Sequence, residues 1–412
     1  MAPDTKERPV EEIVAEHFDA EIEFLAELVR TPSDNPPGDC GAHAARAARL
    51  LEALGFEVER HPVPEDLCRS NGMISATNLI VRHRFSGDGP VIALNAHGDV
   101  VAPGDGWTTD PYGAEIKDGW MYGRGVAVSK SDFATYAFAL LALRESHLPL
   151  AGTVELHFTY DEETGGAIGP KWLLEQGLSK PDLVISAGFS YSVVTAHNGC
   201  LHLEVEVRGK SAHAALPDTG NDALVAATEA LRAIYGLRDS LAEVHSGIDG
   251  IDCPSVTVGL IGGGTNTNVV PDRVTFRLDR RIIPEESPDA VEGDLRELIE
   301  EAIGNLDGIS VSIRRIMLAM PLAPIPGVER AIATLQRAAT EVFGTEVGVS
   351  GVPIYTDARL YMEAGIPTVI YGAGPRSLLE ANGHRADERL WIEDLRKATT
   401  VVARALVELM TA

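Results

Sequence analysis

Residues 91–101, VIALNAHGDVV, decide the fold. The segment opens on an apolar run, which predicts a strand covered on both faces, as strands inside a parallel sheet are. Its character changes abruptly where His97 and Asp99 follow the last apolar positions. Two further segments repeat the design. GTVELHFTYDEETGG (152–166) is a strand running into an acidic loop, and PDLVISAG (181–188) is another buried strand. Helical patterns lie between and around them, in AHAARAARLLEALGF, SDFATYAFALLALRES and GPKWLLEQGL. Alternating strands and helices, with polar residues gathered past the strand ends, predict an α/β layer built on a mostly parallel sheet with helices on both faces. Ligands of such sheets lie outside the carboxyl ends of the strands, where HGD and DEE fall.

Between residues 198 and 314 the pattern changes. CLHLEVEVRGKSAHA, CPSVTVGLIGGG, RVTFRLDRRI and ISVSIRRI alternate as half-exposed strands do, with two amphipathic helices interleaved. This predicts an α+β sandwich at 198–314, inserted into a discontinuous catalytic domain of 1–197 and 315–412. A final helix is expected in EDLRKATTVVARALVELM.

The 412 residues carry 35 basic and 61 acidic side chains, a formal net charge of −26. Polyanions are held by clustered Lys and Arg, so neither nucleic acid nor an anionic membrane is an expected partner. Cys40, Cys68, Cys200 and Cys253 show no CxxC spacing, which suits reduced thiols. The polar N-terminus lacks a secretory apolar core, and no apolar run is long enough to span a bilayer. A cytoplasmic protein is expected.

Taken singly, the chemical candidates are modest. A strand-end His97 beside Asp99 has the makings of a metal ligand with an orienting carboxylate. Asp161, Glu162 and Glu163 crowd like charges, which is costly unless a cation or protons offset it. His384 sits in the glycine-flanked loop GHRADE, and His213 follows a strand in SAHAALP. Their order along the chain is more telling. HGDVVAPGDGW, DPYG, DGWMYGRG, TYDEETGG, RGKSAHAALPDTGNDA, GGGTNTNVVPDR and GHRADE together resemble the zinc peptidase and deacylase family of carboxypeptidase G, aminoacylase, acetylornithine deacetylase and succinyl-diaminopimelate desuccinylase. The resemblance extends from TPSDNPPG nearly to the C-terminus, and 198–314 falls where that family keeps its lid or dimerisation domain.

The resemblance implies roles. His97, Glu163 and His384 would bind metal, Asp99 would orient His97, and Glu162 would be the general base that activates the attacking water. His213 would reach a partner subunit's site and stabilise the oxyanion, which implies a homodimer. Asn268 and Arg281 would hold a carboxylate of a small anionic substrate. The pattern also breaks. Val128 stands where that family has an aspartate bridging two metals, and Gly188 lies near the place of a further carboxylate ligand. Ser129 and Asp132 are weighed as replacements; a helix cap or substrate contact suits Ser129, and a charge at the helix N-terminus suits Asp132.

Two His and one carboxylate suffice for a catalytic zinc site with an open position. One divalent ion per subunit, Zn²⁺ or Mn²⁺, is therefore expected, in a hydrolase that cleaves the C–N bond of an amide or N-acyl group. One alternative is a single-metal aminohydrolase acting on a substituted aromatic acid of the 5-nitroanthranilate type. Another is a non-catalytic descendant that binds a small ligand.

Overall fold

The computed structural model describes residues 6–304 and 306–411. The chain forms two compact units. The first takes residues up to Thr195, Pro324–Ser350 and the chain from Thr356 onward; the second takes Ala196–Ala323 and Gly351–Tyr355.

The first unit is built on an eight-stranded sheet. In spatial order its strands are Val58–Pro62, Thr77–Arg84, Thr153–Thr159, Val91–His97, Leu183–Ser186, Thr368–Ile370, Ser192–His197 and Gly348–Val352. Val91–His97 runs parallel to both of its neighbours, and Leu183–Ser186 runs parallel to Thr368–Ile370. Antiparallel pairs flank this parallel centre. The central strand is apolar because both of its faces are covered. Ile92, Leu94 and Ala96 enter the large core, whereas Ala93 packs with Val184 and Tyr361 on the opposite face.

The helices of the large core are Val10–Val29, Gly41–Ala53, Lys130–Ser146, Glu329–Phe343 and Ile392–Met410. Lys130–Ser146 is apolar around its whole circumference because residues 131–143 are all buried. The sequence reading leaves Glu329–Phe343 unassigned, and also a small three-stranded sheet of Glu115–Lys117, Trp120–Tyr122 and Arg389–Trp391.

The second unit is an antiparallel four-stranded sheet in the order Ser255–Gly263, Arg273–Ile282, Gly199–Arg208 and Ser310–Ala319. Period-two alternation sends Leu201, Leu203, Val205 and Val207 into a core with Val274, Phe276 and Leu278. Helices Ala223–Leu241 and Pro288–Ile303 complete that core. The last strand stays hydrogen-bonded to Gly199–Arg208 through Ala319, so the unit runs past residue 314. Among the described residues no helix is long and apolar enough to cross a membrane, and no disulfide links the cysteines.

Candidate metal centre

His97 is the last residue of its strand and is 7% exposed. Its Nδ1 lies 2.9 Å from the Asp99 carbonyl oxygen and 3.4 Å from Asp99 Oδ1. Bonding at Nδ1 leaves Nε2 as the metal-facing nitrogen. The Asp99 carboxylate is fully buried, and most of its work is elsewhere. It accepts the backbone N–H of Glu162 at 3.2 Å, that of Glu163 at 3.1 Å and the Asn35 side-chain amide at 2.9 Å. One buried anion thus ties the acidic loop beneath the His97 strand.

That loop is a single 3₁₀ turn, Glu162–Thr164, directly after the parallel strand Thr153–Thr159. His97 Nε2 is 3.9 Å from Glu162 Oε2, and donor atoms of His97, Glu162 and Glu163 all lie within 4.8 Å of one another. His384 comes from a distant turn with a left-handed backbone, φ 60°, and its Nε2 is 3.4 Å from Glu163 Oε1. Glu163 thus lies within reach of both expected imidazoles, while the donors that lie within 4.8 Å of one another are those of His97, Glu162 and Glu163, and His384 is not among them.

The electrostatics are those of a cation site. Burial pushes the Glu162 carboxyl well up, His97 pulls against it, and Glu163, Asp357 and Asp99 reinforce the rise. Burial opposes the imidazolium of His97, yet Glu162, Asp99 and Glu163 outweigh it and hold the group well above its ordinary value. A hydrogen bond to Glu163 raises His384. Protons thus stand in for a divalent charge, and the donor set of two imidazoles with carboxylates suits such an ion.

The two broken positions are closed by packing. Val128 is half-buried, packs against the large core, and donates its N–H to Glu388 Oε1 at 3.3 Å. A Cβ on Gly188 would lie 2.1 Å from Ile370 Cγ2, so a carboxylate fits there only if Ile370 gives way. The segment is also zipped to residues 372–374, where Gly374 donates its N–H to the Gly188 carbonyl at 2.7 Å. Asp132 is buried, accepts the Ala373 N–H at 2.7 Å, and is pushed by burial up to about 7. Ser129 makes no capping bond; its hydroxyl sits 3.3 Å from both the N–H and the carbonyl of His97 and steadies that strand end.

The model of peptidase family M20/M25/M40 matches residues 93–408. The chain belongs to that family. It is 28% identical over 398 residues to a succinyl-diaminopimelate desuccinylase of Rhodospirillum centenum, covering 93% of this chain and 96% of that one. It is 31% identical over 370 residues to an acetylornithine deacetylase of Myxococcus xanthus, covering 87% and 90%. Among solved structures, Bacillus subtilis YXEP protein, a dinuclear metal binding peptidase of the M20 family, superposes with a TM-score of 0.70 at 19% identity over 96% of this chain and 99% of that one. The dipeptidase Dug1p of Saccharomyces cerevisiae gives 0.77 at 14%, over 98% of both chains.

This M20 member is accordingly a metal-dependent hydrolase at the level of its family, with relatives named desuccinylase and deacetylase. That sets aside the reading as a non-catalytic binder, and relatives named for acyl removal do not favour the aminohydrolase.

The remaining expected residues lie in the second unit. His213 is exposed, in a two-residue strand Ala212–His213 paired with Val269–Val270, next to Asn268. Its Nδ1 accepts the Ala215 N–H at 3.1 Å, which makes Nε2 the N–H donor of the neutral ring. Arg281 pairs with Asp279 through Nε at 3.0 Å and Nη2 at 3.2 Å. The ribbon bearing His213 and Asn268 springs from the Arg208–Arg273 end of the sheet, eight residues along from the Cys200–Arg281 pair. That span is about 27 Å of extended strand between Arg281 and the end from which the ribbon leaves.

Three groups of the metal centre escape a sequence reading. Asp357 is buried, lies 3.5 Å from Thr159 Oγ1, and is pushed by burial up to about 6 against the pull of His97 and Arg359. Glu388 forms a buried ion pair with Arg124 at 2.5 Å and accepts the N–H groups of Ala127 and Val128. It thereby fastens the loop carrying His384 to the loop carrying Val128. Asn35 is the third, through Asp99. The available signal was the DEE run itself, since a buried carboxylate cluster needs donors from elsewhere in the chain.

Proposed function

We propose that this protein removes an N-acyl group from a small carboxylate-bearing substrate, using one divalent ion, Zn²⁺ or Mn²⁺, held by His97, Glu163 and His384. What supports this reading is that Glu163 stands within reach of His97 and 3.4 Å from His384 Nε2, with Glu162 alongside and no carboxylate at Val128 or Gly188. An ion there supplies Lewis acidity to polarise the acyl carbonyl and to make water more acidic.

Glu162 is the general base: it takes the proton of the attacking water and returns it to the leaving nitrogen. Its elevated proton affinity suits both halves of that task. Asp99 and Asn35 fix the turn so that Glu162 and Glu163 point inward together. His213, with its N–H at Nε2, is assigned to the developing oxyanion. Arg281 keeps Nη1 for an incoming anion, since Asp279 engages Nε and Nη2, and Asn268 offers an amide.

The His213–Asn268 ribbon leaves the opposite end of the sheet from Arg281, an arrangement that suits a small substrate met by two copies. We therefore propose a homodimer formed through the second unit. Its edge strand Ser255–Gly263 carries Leu260 and Ile261, 61% and 57% exposed, with unpaired backbone along one side. Four cysteines with no disulfide and an acidic balance of charge suit a reducing cytoplasm without nucleic-acid or membrane partners.

The test is a panel of N-succinyl and N-acetyl amino acids assayed for released amine, with the Glu162→Gln variant beside the wild type. Turnover falls by roughly 10²–10⁴-fold in the variant, while its metal content is unchanged. Full activity in Glu162→Gln removes the base assignment.

A further inference from the structure

The face of the second unit's sheet opposite its core carries three side chains, Cys200, His202 and Asp279, that have no part in the proposed hydrolysis, beside Arg281, which does. In the antiparallel register Cys200 stands opposite Arg281 and His202 opposite Asp279. Alternation puts all four on the same face, and directly opposed residues of such a pair come within about 5 Å of one another. Three donor atoms converge. Cys200 Sγ is 3.2 Å from His202 Nε2, His202 Nε2 is 3.0 Å from Asp279 Oδ2, and Cys200 Sγ is 3.7 Å from that same oxygen.

Hydrogen bonding accounts for only part of this triangle. An imidazole nitrogen carries one proton or one lone pair, so Nε2 serves a single partner. If Nε2–H donates to Asp279, it has nothing left for the sulfur. A cation at the centre satisfies all three donors together. For a tetrahedral ion with metal–sulfur near 2.3 Å and metal–nitrogen or –oxygen near 2.0–2.1 Å, the donor separations should be about 3.6 Å for S···N, 3.4 Å for N···O and 3.6 Å for S···O. Each observed side agrees within a few tenths of an ångström.

The shell around the triangle also fits. Arg281 holds both oxygens of Asp279, donating from Nε to Oδ1 at 3.0 Å and from Nη2 to Oδ2 at 3.2 Å, and so orients the carboxylate while Oδ2 keeps a lone pair for the ion. Cys200 is buried, while the His202 and Asp279 side chains are 35% and 30% exposed, which leaves a solvent-facing fourth position.

We propose that Cys200, His202 and Asp279 form a second metal site, selective for a thiophilic divalent ion of the Zn²⁺ and Co²⁺ class, separate from the hydrolytic centre. Binding displaces the Cys200 thiol proton to solvent, and the ion is held by Sγ, Nε2 and Oδ2 with water as the fourth ligand. Thiolate with imidazole selects against Mg²⁺ and Ca²⁺, which prefer oxygen shells.

The experiment is a Co²⁺ titration of the metal-free full-length protein, followed in the near ultraviolet for the sulfur-to-cobalt charge-transfer band. The hydrolytic centre offers no sulfur donor, so this band reports the new site whatever happens at the other. Wild type and Cys253→Ser are expected to show the band, and Cys200→Ser to lose it along with one bound ion per chain. His202→Asn is expected to weaken binding on the order of tenfold or more with circular dichroism unchanged, which keeps the test valid if Cys200→Ser fails to fold. Absence of the band in folded wild type, or its persistence in Cys200→Ser, overturns the assignment. So does unchanged affinity in folded His202→Asn.

Discussion

Replacing Asp99 by asparagine separates a residue that merely orients His97 from one that assembles the whole centre. Its carboxylate accepts three N–H bonds in a fully buried place. An asparagine amide has one oxygen to offer. Turned toward Glu163 and Asn35, it keeps two of the three bonds and aims its NH₂ at the Glu162 N–H, donor against donor. Losing one bond to a charged group costs about 1.5–3 kcal/mol, and weakening the other two to neutral strength costs about 1 kcal/mol each. The lost charge also relieves crowding, because Asp99 raises both Glu162 and Asp357 in the metal-free protein. The net expectation without metal is a loss of about 2–4 kcal/mol. With metal present the gap between wild type and variant widens, since the cation has already neutralised that crowding. Urea unfolding of both forms at pH 7 measures the first effect. Chelator competition measures the second, where affinity is expected to fall about 10–100-fold. A loss under about 1 kcal/mol in both forms, with affinity unchanged, refutes the assembling role.

Three further outcomes follow from the same geometry. Metal binding near neutral pH should release protons, because Glu162 and His97 are both held well above their ordinary values without it; calorimetry in buffers of different ionisation enthalpy reads this, and a buffer-independent enthalpy contradicts it. Glu388→Gln strands the buried Arg124 and should destabilise the fold by about 3–5 kcal/mol, seen as a lower urea midpoint; an unchanged midpoint would dismiss the tie between the two loops. Glu21 is pushed by burial up to about 8, so the folded state holds a proton that the unfolded state loses near pH 4.5, and stability drains away as pH rises between those values. Glu21→Gln should therefore gain up to roughly 5 kcal/mol at pH 9 and nearly nothing at pH 4; an equal effect at both would show that the carboxyl is not perturbed.

The parallel centre of the sheet was legible in VIALNAH, whose opening run is apolar on both faces as only a strand covered twice is written. TVELHFT instead shows one apolar face, Val154, Leu156 and Phe158, and buries Glu155 and His157 on the other through their hydrogen bonds. The ligands were legible because strand ends and tight turns put their next polar residue at the sheet rim. What stayed hidden is held by tertiary contact. Asp357 opens a short helix whose sequence is unremarkable, and becomes part of the centre only because Thr159 lies beside it in the fold. Glu388 looks like any loop acid until Arg124 and two backbone N–H groups are seen to surround it. Arg281 illustrates the converse. The family resemblance implied an anchor for a substrate carboxylate, yet the residue two before it, Asp279, shares its face of the strand and occupies much of the guanidinium.

An anomalous difference map, recorded at the absorption edge of the metal that copurifies with the protein, addresses the metal count where it matters. One peak in the first unit, about 2.0–2.2 Å from His97 Nε2, an oxygen of Glu163 and an imidazole nitrogen of His384, is the expected result. Two peaks about 3.5–4 Å apart at that place, or a single peak that leaves out His97 or His384, would contradict a one-metal hydrolase.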